Sequence, residues 1–211
     1  MLVIMMFKKV KNIFIGITLT FMFVGCQNSD TNVQAQSPDS AQKEAKVVLT
    51  EYSDFQCPAC GYFFPMVEKL KKEYGDKLEV NYHHFPLNSH QYAMLAARAA
   101  ESARNQGEFE AMHDLLFENQ RQWSSSGNPE PTFVNYAKRI GLDINQFKED
   151  LNSADTQRSV IEEKKAGQER GVNSTPTFYI NDEEVVSLPQ TYEQFKALVN
   201  VYMQEAEKAA N

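Results

Sequence analysis

Along the chain the apolar residues change their period several times, and each change marks a new element. The run Val47-Val48-Leu49, inside Lys46 to Tyr52, reads as a short buried strand of an α/β sheet. Phe63, Met66, Val67, Leu70 and Tyr74 then recur at helical spacing, which predicts a helix starting after Cys57 and ending at Gly75. Pro65 should kink that helix, because proline removes a backbone donor and clashes with the carbonyl four residues back. Leu78, Val80 and Tyr82 alternate with Glu79, Asn81 and His83, the pattern of a second strand.

Helical signals dominate from there to about residue 170. Six alanines between Ala93 and Ala103 favour helix by propensity. Phe109, Met112, His113 and Leu116 share one helical face, as do Phe133, Tyr136, Ala137 and Ile140 before Gly141. Asp143 with Gln146 reads as a capping pair opening a helix that carries Ile144, Phe147 and Leu151. Trp123 and the Ser124–Gly127 stretch read as a loop. Strand character returns at Thr177-Phe178-Tyr179-Ile180, followed by Asn181-Asp182 as turn residues and a short strand through Val185-Val186. Thr191 with Gln194 caps a last helix lined by Phe195, Leu198, Val199 and Tyr202. The order is strand, helix, strand, helices, strand, strand, helix.

The first 25 residues differ from all of this. Lys8, Lys9 and Lys11 precede an apolar run from Ile13 to Val24, the n-region and h-region of an export signal. That run is shorter than the roughly 20 residues a spanning helix needs, so cleavage is expected, with an uncleaved N-terminal anchor as the alternative. It ends in Phe23-Val24-Gly25-Cys26, which resembles a bacterial lipobox, with Cys26 as the candidate for lipidation and Phe23 in place of the usual leucine. Two or more acyl chains on Cys26 would hold the protein at a membrane surface. Residues 26–45 are almost devoid of apolar side chains and are expected to act as a disordered tether.

Charge changes the picture little. The whole chain carries a net charge of −7. Removal of the three signal lysines makes the mature protein more acidic still, which argues against a nucleic-acid-binding surface.

The candidate chemistry lies in Cys57-Pro58-Ala59-Cys60, between a strand and a helix. Unpaired N–H groups and the positive end of the helix dipole stabilise a thiolate at Cys57, the expected nucleophile. Cys60, one turn further in, should be more buried, hold a higher pKa and be placed to attack a mixed disulfide formed at Cys57. Pro58 suits the first turn because its missing N–H costs nothing there. The alternatives are a structural disulfide or a metal site built from Cys57 and Cys60 with His83 or His84. So short a loop gives a structural disulfide little entropic benefit. His83, His84 and His113 are otherwise expected as packed histidines, with His113 a satisfied member of the core.

Several stretches together resemble the DsbA-like branch of the thioredoxin superfamily. Cys57-Pro58-Ala59-Cys60 matches its redox motif, and Ser174-Thr175-Pro176-Thr177-Phe178 matches the loop that carries the superfamily's cis-proline. His84-Phe85-Pro86-Leu87, Gln106-Gly107 and Met112–Phe117 resemble the same branch, and the long separation of Cys57 from Pro176 fits its helical insertion. The resemblance implies a thioredoxin fold over residues 46–206 with the insertion at about 88–170. It implies a cis Pro176 facing the cysteines, with Thr175, Pro58 and Ala59 meeting an extended substrate peptide. Glu51 matches a buried acid of the family, its pKa raised by desolvation, that relays a proton to and from Cys60 through water. Asp54 competes for that part.

The function implied is an exported thiol:disulfide oxidase acting on reduced exported proteins, with no cofactor beyond the Cys57–Cys60 redox disulfide. Its reoxidant would be a DsbB-like or vitamin-K-epoxide-reductase-like quinone-linked membrane protein, and the protein is expected to be a monomer outside the cytoplasmic membrane. Ala59 stands where the best-known motif has histidine, which predicts a less extreme oxidant. A reductase or isomerase of the same fold is the enzymatic alternative; a CxxC/His metal-handling protein and a non-catalytic peptide-binding module are the others.

Overall fold

The computed structural model describes residues 46–210. The export signal, the tether and the Cys26 lipidation candidate lie outside the described residues. Four strands form one mixed sheet in the order β2-β1-β3-β4. The central strand β1 (Val47–Ser53) pairs parallel with β2 (Leu78–His84) and antiparallel with β3 (Thr177–Ile180). The parallel pair is joined by the crossover helix α1 (Pro58–Tyr74), as parallel strands require.

Alternation along β1 divides its side chains between two layers. Val47 and Leu49 pack with Phe63, Val67 and Leu70 of α1, with Phe178 and Ile180 of β3, and with Phe195 and Val199 of α8 (Tyr192–Ala210). Tyr52 points the other way and joins Phe85, Val172 and Tyr179. Helix α1 runs through Pro65 without a break. The last strand is shorter than the alternation suggested. β4 is Glu183–Glu184, and Val185 adds one hydrogen bond to Phe178 O at 2.9 Å before the chain leaves the sheet. Val186 is 88% exposed and pairs with no strand, because the edge has no layer left to cover it.

Between β2 and β3 lie six helices: α2 (Ala93–Arg104), α3 (Phe109–Glu118), α4 (Gln120–Ser124), α5 (Glu130–Arg139), α6 (Ile144–Asn152) and α7 (Ala154–Glu169). The alanines of α2 are buried on nearly every side, because methyl groups alone let several helices approach one axis. Trp123 is not a loop residue. It sits in α4, fully buried against Phe133, and its indole N–H donates to Leu116 O at 2.7 Å. Polar neighbours hid this short helix from a periodicity argument. Two of the inferred caps are present: Gln146 N donates to Asp143 Oδ1 at 2.8 Å, and Gln194 N to Thr191 Oγ1 at 3.3 Å. Among the described residues no helix is long and apolar enough to cross a membrane.

Helix α7 closes against the sheet through a glycine. A Cβ on Gly167 would stand 2.9 Å from the Tyr52 ring and 3.0 Å from that of Phe85. Gly167→Ala is therefore expected to destabilise the protein by about 1–3 kcal/mol despite alanine's better helix propensity. Urea denaturation measures this, and an equal or higher midpoint in the variant contradicts the packing described.

Candidate active site

The two cysteines sit where the end of β1 turns into α1. Cys57 is the extended residue that precedes the helix, and Pro58 takes the first helical position, where its lack of an N–H leaves nothing unpaired. Cys57 N donates to Asp54 O at 3.0 Å, and Cys57 O accepts the first helical bond from Gly61 N at 3.1 Å. This turn directs Cys57 toward the surface, at 7% exposure, and Cys60 inward, at 0%. Cys57 Sγ lies 3.4 Å from Thr175 O, and the Thr175–Pro176 bond is cis. Thr175 and Pro176 therefore face the redox turn, while Pro58 and Ala59 form its exposed rim.

The two sulfurs have opposite acidities. A hydrogen bond from the Cys60 thiol is the largest influence on Cys57. Together with Thr175 and the backbone N–H groups of Cys60 and Ala59, it outweighs burial and brings the pKa down to about 5. The helix N-terminus thus contributes, but the neighbouring thiol contributes more. Cys60 moves up, first because burial disfavours its charged form, then because it is the donor to Cys57 and feels the Glu51 and Cys57 charges.

Glu51 is 2% exposed, paired across the sheet with Phe178 and Tyr82. Burial raises its pKa to about 7, against a hydrogen bond from Ser53 Oγ at 2.8 Å that pulls it down. The Asp54 carboxylate is engaged elsewhere. It accepts from Gln56 N at 2.7 Å and Leu87 N at 2.9 Å, and meets His90 Nδ1 at 2.7 Å, binding the segment after β2 to the redox turn.

Gln120 of α4 clamps the same turn from the insertion. Its Nε2 donates to both Phe55 O and Cys57 O at 2.8 Å, and a Cβ on Gly61 would stand only 2.4 Å from its Oε1. Periodicity carried no signal for Gln120; the glycine directly after Cys60 was the one hint of a close approach. Ser53 carries no motif of its own, although its position two residues after Glu51 puts both on one face of β1.

The histidines stand away from the sulfurs' chemistry. His84 Nε2 meets Glu101 Oε1 at 2.9 Å, a carboxylate that Arg104 also binds at 2.6 Å, and His83 stacks on Tyr52 with ring centroids 5.0 Å apart. His113 is buried among Phe55, Phe64, Tyr82, Phe109 and Phe117, but it is not fully satisfied: Nδ1 meets Asp114 at 3.2 Å and Nε2 has no partner. Glu68, His113 and Asp114 have metal-ligand spacing, yet Lys71 Nζ already lies 3.0 Å from Glu68 Oε1 and supplies the positive charge there.

A family model described as thioredoxin matches residues 41–201. A thioredoxin-like oxidoreductase from Silicibacter pomeroyi DSS-3 superposes with a TM-score of 0.62 at 26% identity, over 76% of this chain and 88% of that one. BdbD from Bacillus subtilis superposes at 0.67 with 21% identity, over 77% and 90% of the two chains. For α-DsbA1 from Wolbachia pipientis the TM-score is 0.68 at 17% identity, over 80% and 91%. These last two share the fold. Among curated sequences, the Na(+)/H(+) antiporter NhaA 3 of Salinispora tropica is 37% identical over 140 residues, 66% of this chain. The chain spans only 21% of that protein's length.

The raised pKa of Glu51 has a stability consequence of definite sign. From about pH 4.5 to 7 the folded protein holds a proton that the unfolded chain has released, so this group's contribution falls as pH rises through that window. Above it, ionised Glu51 costs about 3 kcal/mol. Under reducing conditions Glu51→Gln is expected to be more stable than the native protein at pH 8, by up to that amount, with the difference shrinking toward pH 5. Denaturation at the two pH values checks it; a difference that does not depend on pH contradicts it.

Proposed function

The chain belongs to the thioredoxin family, and from that premise we propose that it is an exported thiol:disulfide oxidoreductase that passes disulfides to cysteines of other exported proteins. The observation that carries this reading is the opposed acidity of the shallower sulfur, Cys57, and the fully buried one, Cys60, across one helical turn.

In the oxidised form, a substrate thiolate attacks Cys57 Sγ, the Cys57–Cys60 bond breaks, and Cys60 leaves with the electron pair. Its high pKa means that it must be protonated as it leaves, and Glu51 is the buried acid that supplies the proton. A second substrate thiolate then attacks the substrate sulfur of the mixed disulfide and releases Cys57 as a stable thiolate. The substrate loses two electrons, and the protein's cysteine pair gains them. Because the reduced state ends in a stabilised thiolate, the equilibrium favours handing the disulfide away, which supports an oxidase over a reductase or isomerase. The thiolate is stabilised by Cys60, Thr175 and backbone N–H groups, so the absence of histidine at Ala59 removes less oxidising power than the motif alone suggests.

Space for the substrate lies beside the redox turn, along the chain neighbours of Cys57. A groove of about 970 Å³ runs beside α1, lined by Gln56, Pro58, Tyr62, Met66, Phe117 and Arg121 among others. The Thr175 backbone, 3.4 Å from Cys57 Sγ at its carbonyl, is where an extended chain can pair. Turnover requires a reoxidant, which we assign to a DsbB-like or vitamin-K-epoxide-reductase-like quinone-linked membrane protein. Lipidation at Cys26 would keep a monomeric enzyme in the plane of that partner, outside the cytoplasmic membrane.

The test uses a reduced peptide with two cysteines and the oxidised protein. Peptide disulfide should form with one equivalent of protein thiol pair released. Cys57→Ser should abolish the transfer, and Cys60→Ser, reacted with a disulfide-bearing peptide, should accumulate the mixed disulfide at Cys57. Failure of the oxidised protein to oxidise the peptide, with faster reduction of insulin at the expense of glutathione, overturns the oxidase reading in favour of a reductase.

A further inference from the structure

Proton transfer to a buried leaving sulfur needs a path, and the last residue of β1 supplies one. Side chains alternate along a strand, so Val47, Leu49, Glu51 and Ser53 share the face toward α1, where Cys60 lies one turn into the helix. The Ser53 hydroxyl donates to Glu51 Oε1 at 2.8 Å, and the same side chain pulls the pKa of Cys60 down against the effect of burial. All three side chains are shielded from water, at 9%, 2% and 0% exposure for Ser53, Glu51 and Cys60. The neighbouring Asp54 N–H donates to Cys60 Sγ at 3.5 Å, but a backbone amide does not release its proton at neutral pH. The Asp54 carboxylate is spent on Gln56, Leu87 and His90. A hydroxyl donates one proton while accepting another, so it can stand between an acid and a base without a change in its own charge.

Resting on the reading of Cys57 and Cys60 as a disulfide-exchange pair, we propose that the Ser53 hydroxyl is a catalytic proton carrier between the Cys60 sulfur and the Glu51 carboxyl. When the Cys57–Cys60 bond breaks and Cys60 leaves with the electron pair, its sulfur takes the Ser53 proton. Ser53 takes the proton of the Glu51 carboxylic acid, and the carboxylate remains. In the reverse step, Cys60 attacks a mixed disulfide at Cys57, its proton passes to Ser53, and the Ser53 proton passes to the Glu51 carboxylate. Serine is neutral before and after both steps. The fixed hydroxyl takes the place of the mobile water that a buried carboxyl and a thiol would otherwise share.

Ser53→Ala, Ser53→Thr and Ser53→Val, made in the full chain, separate the hydroxyl from its shape, since threonine and valine are isosteric and differ by that group. The readout is the single-turnover rate at which a reduced two-cysteine peptide opens the protein disulfide, followed by acid quench and thiol alkylation from pH 5.5 to 8.5. Ser53→Ala and Ser53→Val should slow this step about tenfold or more and flatten its inflection near pH 7, and Ser53→Thr should stay within about threefold of the native rate. Glu51→Gln combined with Ser53→Val should be no slower than the slower single variant, because the two groups act in series. A purely structural serine would instead lower the thermal midpoint of all variants and leave the pH profile intact. Native rates and inflection in Ser53→Val overturn the relay, as does multiplicative slowing in the double variant. A native protein that does not exchange with the peptide at all overturns the proposed function, a result distinct from an indifferent Ser53.

Discussion

The chemistry of the site depends on one hydrogen bond, from the thiol of Cys60 to the sulfur of Cys57. A thiolate needs donors, and the strongest here is a second thiol that burial keeps protonated. The same burial that lifts Cys60 therefore lowers Cys57. A symmetric environment would leave two ordinary thiols with no preference for which attacks and which leaves. The difference is built from one turn of helix, which puts residue 57 at the edge and residue 60 beneath it.

Holding that turn requires contributions from distant parts of the chain. Asp54 draws in the segment after β2, Gln120 reaches across from the helical insertion, and Thr175 arrives from the loop before β3. The insertion is thus more than cover for the sheet. Its apolar core includes Phe55, Cys57 and Cys60 themselves, so the redox turn lies at the seam where the insertion packs on the thioredoxin fold. Buried carbonyls at Phe55 and Cys57 would be costly without partners, and the Gln120 amide satisfies both at once.

What the sequence revealed followed from periodicity and from spacing. Alternation located β2, helical spacing located α1 and α8, and the cysteine pair between a strand and a helix indicated which sulfur is the more deeply buried. Features that depend on a single long-range contact were invisible. Trp123 sits in a five-residue helix too short to show a period, and Val186 looked like a strand residue although the sheet ends before it. Gln120 and Ser53 are ordinary polar residues until the fold brings one against the turn and the other beside Cys60. Glu51 is the buried acid that the resemblance implies, with Asp54 as its competitor; the network around Asp54 and the strand alternation that turns Glu51 toward Cys60 tell them apart.

The acidity of Cys57 is the most direct test of this account. In the reduced protein, thiolate absorbance in the ultraviolet, followed against pH, should rise through a midpoint near 5, with Cys60 remaining protonated well beyond it. The same titration in Cys60→Ala should show a higher midpoint for Cys57, because its principal donor is gone. A native midpoint near the ordinary thiol value of about 8.5 would contradict the account.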